Sequence, residues 1–177
     1  MLAGCSSADQ TAGTQADLPE DAAVQDELPD VEVLIPYIVR GRTPQTKLTE
    51  EYEAIGFKEI TLNPSGTITM VIAGDRYAQI VEAYYQQIAA SIDALAESEE
   101  YASITAVEYN KDFSEIAFIV QRAEYESGFD SQARLVAGFS GAWFQAFSGA
   151  AEQELNVTIS IKDADTGEVF DTSQYPQ

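Results

Sequence analysis

Histidine is absent from the 177 residues, and cysteine occurs once, at Cys5. The first absence removes the usual general base near neutral pH and the commonest transition-metal ligand. The second leaves no disulfide and no thiolate metal site. Serine–histidine and cysteine–histidine catalysis are excluded by inventory, so carboxylate, lysine, tyrosine or serine–lysine chemistry is what remains for an enzyme. Basic residues are also scarce. Nine Lys and Arg stand against 30 Asp and Glu, a net charge of −21 at pH 7. Such a chain cannot neutralise a run of phosphates, which excludes nucleic-acid binding, and electrostatic adhesion to anionic lipid is disfavoured. Long hydrophobic runs are missing too: nothing approaches the ~18 apolar residues of a transmembrane helix.

What is present begins with Leu2-Ala3-Gly4-Cys5. It matches the lipobox of bacterial lipoproteins, in which small residues precede the cysteine that receives diacylglycerol. A polar, acidic run follows, and no Lys or Arg occurs before Arg40. Low hydrophobicity with uncompensated charge does not support a packed core. We expect residues 1–5 to be the remnant of a lipoprotein signal peptide ending in lipidated Cys5. Residues 6–30 then form a disordered acidic tether reaching about 25–30 Å. The expected address is the cell membrane, lipid-anchored on the extracytoplasmic face of a Gram-positive bacterium. The basic and apolar parts of an export signal are expected upstream of Met1. A stray surface cysteine on a cytosolic protein is the bland alternative.

Residues 31–177 are expected to form one globular domain; the whole chain is 45% apolar, and nine Tyr and eight Phe are available to fill a core. Val33 to Val39 reads as a strand, with Pro36 marking an edge or bulge. Gly41-Arg42-Thr43-Pro44 breaks it, and a short helix over 45–55 stops at Gly56. Phe57–Leu62 and Thr67–Ala73 alternate as a hairpin around Asn63-Pro64-Ser65-Gly66. A helix capped by Asp75 is expected from Arg76 to Ser98, with Tyr77, Ile80, Val81, Tyr84, Ile88, Ile92 and Leu95 in one stripe. Strands follow at 101–109 and 114–122. A second long helix is expected over 128–149, with Phe129, Val136, Phe139, Trp143 and Phe147 near one face. Gly138 and Gly141 would weaken that helix by about 1 kcal/mol each relative to Ala, which implies close approach to a neighbour. Strands at 154–162 and 168–171 close the chain. The expected class is α+β: a two-layer sandwich, mainly antiparallel sheet, with two long helices packed on one face.

No catalytic set is legible, and neither a metal site nor a cofactor is expected. Asp163-x-Asp165-x-Gly167 superficially resembles a calcium loop, but Gln174 stands where a bidentate Glu is needed, and a hairpin turn is the better account. Glu50, Glu51 and Glu53, like Glu97, Glu99 and Glu100, read as solvated helix edges. Asn156-Val157-Thr158 forms a sequon without meaning in a bacterium. The sheet face away from the helices is the candidate interaction face. Alternation assigns it Thr61, Thr67, Thr69, Val71, Thr105, Val107, Tyr109, Ile119, Gln121, Thr158 and Ser160. Such a face can be simply wet, or can take a protein, a peptide, a glycan or a second copy.

The run Gly56-Phe57-Lys58-Glu59-Ile60-Thr61-Leu62-Asn63-Pro64-Ser65-Gly66-Thr67-Ile68-Thr69 resembles a segment of small, uncharacterised lipoproteins from Gram-positive gut bacteria. Glu108-Tyr109-Asn110-Lys111-Asp112-Phe113 and Asp165-Thr166-Gly167-Glu168-Val169 are also similar, though Pro64-Ser65 replaces the usual acidic residue of the turn. The resemblance implies an address and a fold, with no catalytic residues to carry over. The leading expectation is a non-enzymatic binding lipoprotein; the rival is a carboxylate-dependent hydrolase of cell-wall polymer, with two carboxylates roughly 5–10 Å apart. A spacer or antigen without a ligand is the third reading. Growth with an alkyne-bearing fatty acid is expected to label the gene product, and Cys5→Ala to abolish that label; persistent labelling would place the acyl group elsewhere.

Overall fold

A computed structural model describes residues 28–40 and 45–176. Cys5, the lipobox, most of the 6–30 segment and Gly41-Arg42-Thr43-Pro44 lie outside the described residues. Within them the order is β1 (Val31–Ile35), α1 (Tyr37–Arg40), α2 (Gln45–Ile55), β2 (Glu59–Leu62), β3 (Ile68–Ile72), α3 (Gly74–Asp93), β4 (Ile104–Tyr109), β5 (Glu115–Val120), α4 (Arg122–Ser127), α5 (Ala133–Phe147), β6 (Val157–Asp163) and β7 (Val169–Tyr175). The protein is α+β.

The strands do not make the single sheet expected. They make two, ordered β1-β3-β2 and β4-β5-β6-β7. Every pairing is antiparallel except β5 with β6. A parallel pair cannot be closed by a hairpin. Residues 121–156, carrying α4 and α5, supply the crossover.

Local boundaries follow from backbone chemistry. The first strand stops at Ile35, not Val39, because Pro36 has no N–H for a ladder and α1 begins directly after it. Gly56, at φ 108°, ends α2 as expected. The hairpin of β2 and β3 pairs Ile60 with Met70 and Leu62 with Ile68, and buries Ile68, Met70 and Ile72. Ala73, not Asp75, occupies the N-cap of α3; Asp75 lies in the first turn, near the positive end of the helix dipole. The helix ends at Asp93 rather than Ser98. There the chain tightens into consecutive turns, Leu95 N–H to Ile92, Ala96 to Asp93 and Glu97 to Ala94.

The largest correction concerns α5. It begins at Ala133, after a single 3-10 turn at Asp130–Gln132, and α4 takes Arg122–Ser127. Phe129, Val136 and Phe139 do not face inward; they are 82%, 41% and 49% exposed. Ala133, Ala137, Gly138, Gly141, Ala142 and Ala146 are buried instead. The reason is proximity. The helix packs on β1 of one sheet, on β6 and β7 of the other, and on α3. A Cβ on Gly138 would stand 2.5 Å from the Tyr175 ring, and one on Gly141 3.0 Å from both the Phe113 carbonyl oxygen and Val157 Cγ2. The close approach expected of both glycines is found.

Aromatic bulk fills the space beside α5. Phe147 contacts Phe57, Tyr77, Tyr84 and Trp143, and Tyr84 stacks on Trp143 at 5.8 Å. The Tyr77 hydroxyl donates to the Phe147 carbonyl at 2.9 Å, satisfying a group at the helix end. Phe113 closes the β4–β5 turn at φ 54° and is fully buried among Tyr85, Tyr109 and Phe144. A left-handed phenylalanine costs about 1–2 kcal/mol. Burying its ring contributes about 2–3 kcal/mol, so burial prevails. One buried amide is threaded through this core. Gln145 donates to the carbonyls of Asn156 (2.9 Å) and Asp112 (3.3 Å) and accepts the Asn156 N–H at 2.9 Å.

Replacing Gly141 with Val recovers little helix propensity and forces three atoms against the Phe113 backbone. We expect a net loss of about 2–3 kcal/mol, read as a lower urea midpoint at unchanged slope.

Candidate functional site

The four-stranded sheet has one face toward α5 and one toward solvent. Ile104, Ile116, Phe118, Val120, Val157, Ile159 and Ile161 fill the inner face. Register then fixes the outer one in three rows. Ala106, Ile119, Lys162 and Val169 form the first; Glu108, Ala117, Ser160 and Thr172 the second; Glu115, Thr158 and Gln174 the third. None of these is buried.

This face differs from the expected one in two ways. Thr61, Thr69 and Val71 belong to the other sheet, where they share a face with Glu32, Leu34 and Glu59, and Thr67 ends the β2–β3 turn beside them. They are not continuous with Thr158 and Ser160. The second difference is a bulge. Pairing slips between Ile104 and Ala106, leaving Thr105 as the extra residue, its hydroxyl donating to the Ile119 carbonyl at 3.0 Å. Beyond it the alternation is inverted. Val107 and Tyr109 pair with Phe118 and Ile116 and pack against the core, while Ala106 and Glu108 turn outward. Gln121 stands apart at the N-cap of α4. Ile119, Thr158 and Ser160 remain where alternation put them. Glu108, Ala117, Lys162, Thr172 and Gln174 were not anticipated, because β7 runs on to Tyr175 and the bulge hides β4's true face.

A depression of about 470 Å³ lies on this surface, lined by Glu108, Tyr109, Asn110, Glu115, Ile116, Ala117, Thr158, Ser160 and Lys162. Its floor is low because Ala117 stands between larger neighbours. Lys162 and Glu108 are diagonal neighbours across that alanine, and their side chains meet at 2.7 Å. The pair is partly exposed, and pairs of that kind contribute about 0–1 kcal/mol. Glu115 accepts nothing through its carboxylate from the described residues; its backbone N–H donates to Asn110 Oδ1 at 3.1 Å. Asn110 is itself held by its own amide, which donates to Ser114 Oγ at 2.8 Å. Asn110 and the Glu108–Lys162 pair are thus held by contacts of their own.

Other features do less. A cleft of about 330 Å³ runs beside β1, between Glu32, Leu34 and Pro36 and the 149–153 loop. Asp163 closes the β6–β7 hairpin: its carboxylate accepts the N–H groups of Asp165 (2.8 Å) and Thr166 (3.0 Å), which hold it below the usual carboxylate range. No Asp or Glu is buried among the described residues, and no group of three metal-ligating side chains converges there. A hydrolase of the expected kind needs one carboxyl desolvated to act as an acid. Glu108 and Glu115 share the depression on the outer face, and both are exposed. No described helix is long and apolar enough to cross a membrane.

No protein family matches the chain, and neither does any curated protein or solved structure.

Several phenols titrate late. Desolvation pushes Tyr52, Tyr77 and Tyr84 upward, pushes Tyr125 up to about 12, and with the hydrogen bond to Asp93 pushes Tyr109 up to about 12. The Tyr125 hydroxyl is buried without a hydrogen-bond partner among the described residues. Folded-state values above the unfolded value of about 10 mean that this stabilisation is intact below pH 10 and is lost as pH rises toward 12. Tyr125→Phe removes both an orphaned hydroxyl and one titrating group. It is expected to be at least as stable as wild type at pH 7 and to flatten the alkaline decline in urea midpoint; an unaltered decline would contradict the assignment.

Proposed function

We propose that this chain is a membrane-tethered extracytoplasmic lipoprotein whose domain is a non-enzymatic binding module for a polypeptide. The tethering half of this reading rests on Leu2-Ala3-Gly4-Cys5, the acidic run behind it, and the resemblance to small Gram-positive lipoproteins. The binding half rests on the depression across the outer face of β4 to β6, with its polar rim of Glu108, Asn110, Glu115, Thr158, Ser160 and Lys162. Two layers, with α3 and α5 over the apolar sheet surfaces, would leave that face free for a partner.

The chemistry of the face favours a polypeptide over a glycan. Sugar rings are commonly gripped by stacking on aromatic side chains, and the three outer rows contain none. Tyr109 lines one side of the depression, with its ring packed on Phe113 at 5.2 Å and its hydroxyl donating to Asp93 at 3.1 Å. Hydroxyls, an amide and both signs of charge remain, which suit a peptide backbone and its polar side chains.

A tryptophan at position 117 would fill the depression without changing charge. Ala117→Trp is expected to abolish chemical cross-linking of the anchored protein to its partner on intact cells, whereas Thr69→Trp, on the other sheet, leaves it unchanged. Equal cross-linking by wild type and Ala117→Trp would refute the sheet-face reading.

A further inference from the structure

We infer that the depression on the outer face of β4–β7 receives a lysine or arginine side chain from an extended, basic polypeptide, an inference that rests on the sheet-face reading above. Two carboxylates, Glu108 and Glu115, line it against one ammonium, Lys162. Glu115 has no cation among the described residues, and Glu108 holds Lys162 through a pair that is 64% exposed on the carboxylate side and 33% on the ammonium side. An incoming cation therefore meets one unpaired carboxylate and one that can be shared, with no buried ion pair to break. The low floor at Ala117 leaves room for a long, thin side chain beside the strand backbone.

The rest of the face distinguishes a polypeptide from a small cation. Thr158, Ser160, Thr172 and Gln174 extend from the depression toward β7 as uncharged groups that both donate and accept. They match the alternating N–H and C=O of an extended backbone. The field of the whole chain gives the sign. At −21, the protein attracts basic segments from a distance and repels acidic ones, so an anion aimed at Lys162 would approach against that field and past Glu108. Apolar partners find Ile119 and Val169 at one end of the face and little beyond them.

The test is fluorescence anisotropy with a fluorescein-labelled octapeptide of alternating lysine and threonine, beside its glutamate–threonine counterpart. The basic peptide is expected to bind wild type and the acidic one not. Combined Glu108→Gln and Glu115→Gln should weaken binding about tenfold, while Glu50→Gln with Glu53→Gln, an equal charge change on α2, should change it less than about twofold. Equal losses in the two charge-matched variants would overturn the inference, because the peptide would then be following net charge alone. Preference for the acidic peptide would overturn it too. Should Ala117→Trp abolish partner cross-linking while the Glu108 and Glu115 changes leave both the cross-link and peptide binding intact, the basic ligand is refuted and the binding face stands.

Discussion

The closeness of α5 to its surroundings is the constraint on which this fold depends. One helix touches both sheets and α3, and along Ala133, Ala137, Gly138, Gly141, Ala142 and Ala146 its inner surface is nearly bare backbone. Gly138 and Gly141 each concede about 1 kcal/mol of helix propensity relative to Ala. The contact they allow is with Tyr175, Phe113 and Val157, residues from three separate strands or turns. A Cβ at either glycine would press on those residues. The helix's own bulk is gathered in Trp143, Phe144 and Phe147, which meet Phe113, Tyr84 and Tyr85 from α3, and Tyr52 from α2.

That arrangement also decides what the outer face can present. With α5 filling one side of the four-stranded sheet, its large apolar residues are committed inward, and what remains outside is short, polar or charged. A single extra residue at Thr105 then determines which of two sets of β4 side chains is outside. Without the bulge, Val107 and Tyr109 would be presented and Glu108 hidden. With it, a carboxylate stands opposite Lys162, and the surface changes from aromatic and greasy to ionic.

Much of the fold was legible in local pattern. The alternation of Ile60, Leu62, Ile68, Met70 and Ile72 fixed a hairpin, the glycines of α5 announced a tight contact, and Asp163 with Gly167 marked a turn. The errors have a common source, which is that the deciding partner lay far away in sequence. Large apolar residues are the usual guide to a helix's inner face, and Phe129, Val136 and Phe139 pointed to the wrong one, because two sheets at close quarters select for smallness. The parallel pairing of β5 with β6 leaves no trace in either strand. The outer face was legible only at Ile119, Thr158 and Ser160. For β4 a clue did exist: Ile104, Val107 and Tyr109 are spaced by three and then two, which is how a bulge reads in apolar positions. The segment around Cys5 carries its meaning in composition alone.

Gln145 has a consequence of a different kind. Where the inner surface of α5 is alanine and glycine, van der Waals contact alone opposes sliding or rotation only weakly. One amide, gripping both polar groups of Asn156 and the carbonyl of Asp112, works as an indexing pin. A shift of a single residue along the axis would break all its bonds at once. The β4–β5 turn and the start of β6 are thus locked to one axial position of α5. The spacing between Glu115 and Thr158, and with it the shape of the outer depression, is set from the far side of the sheet.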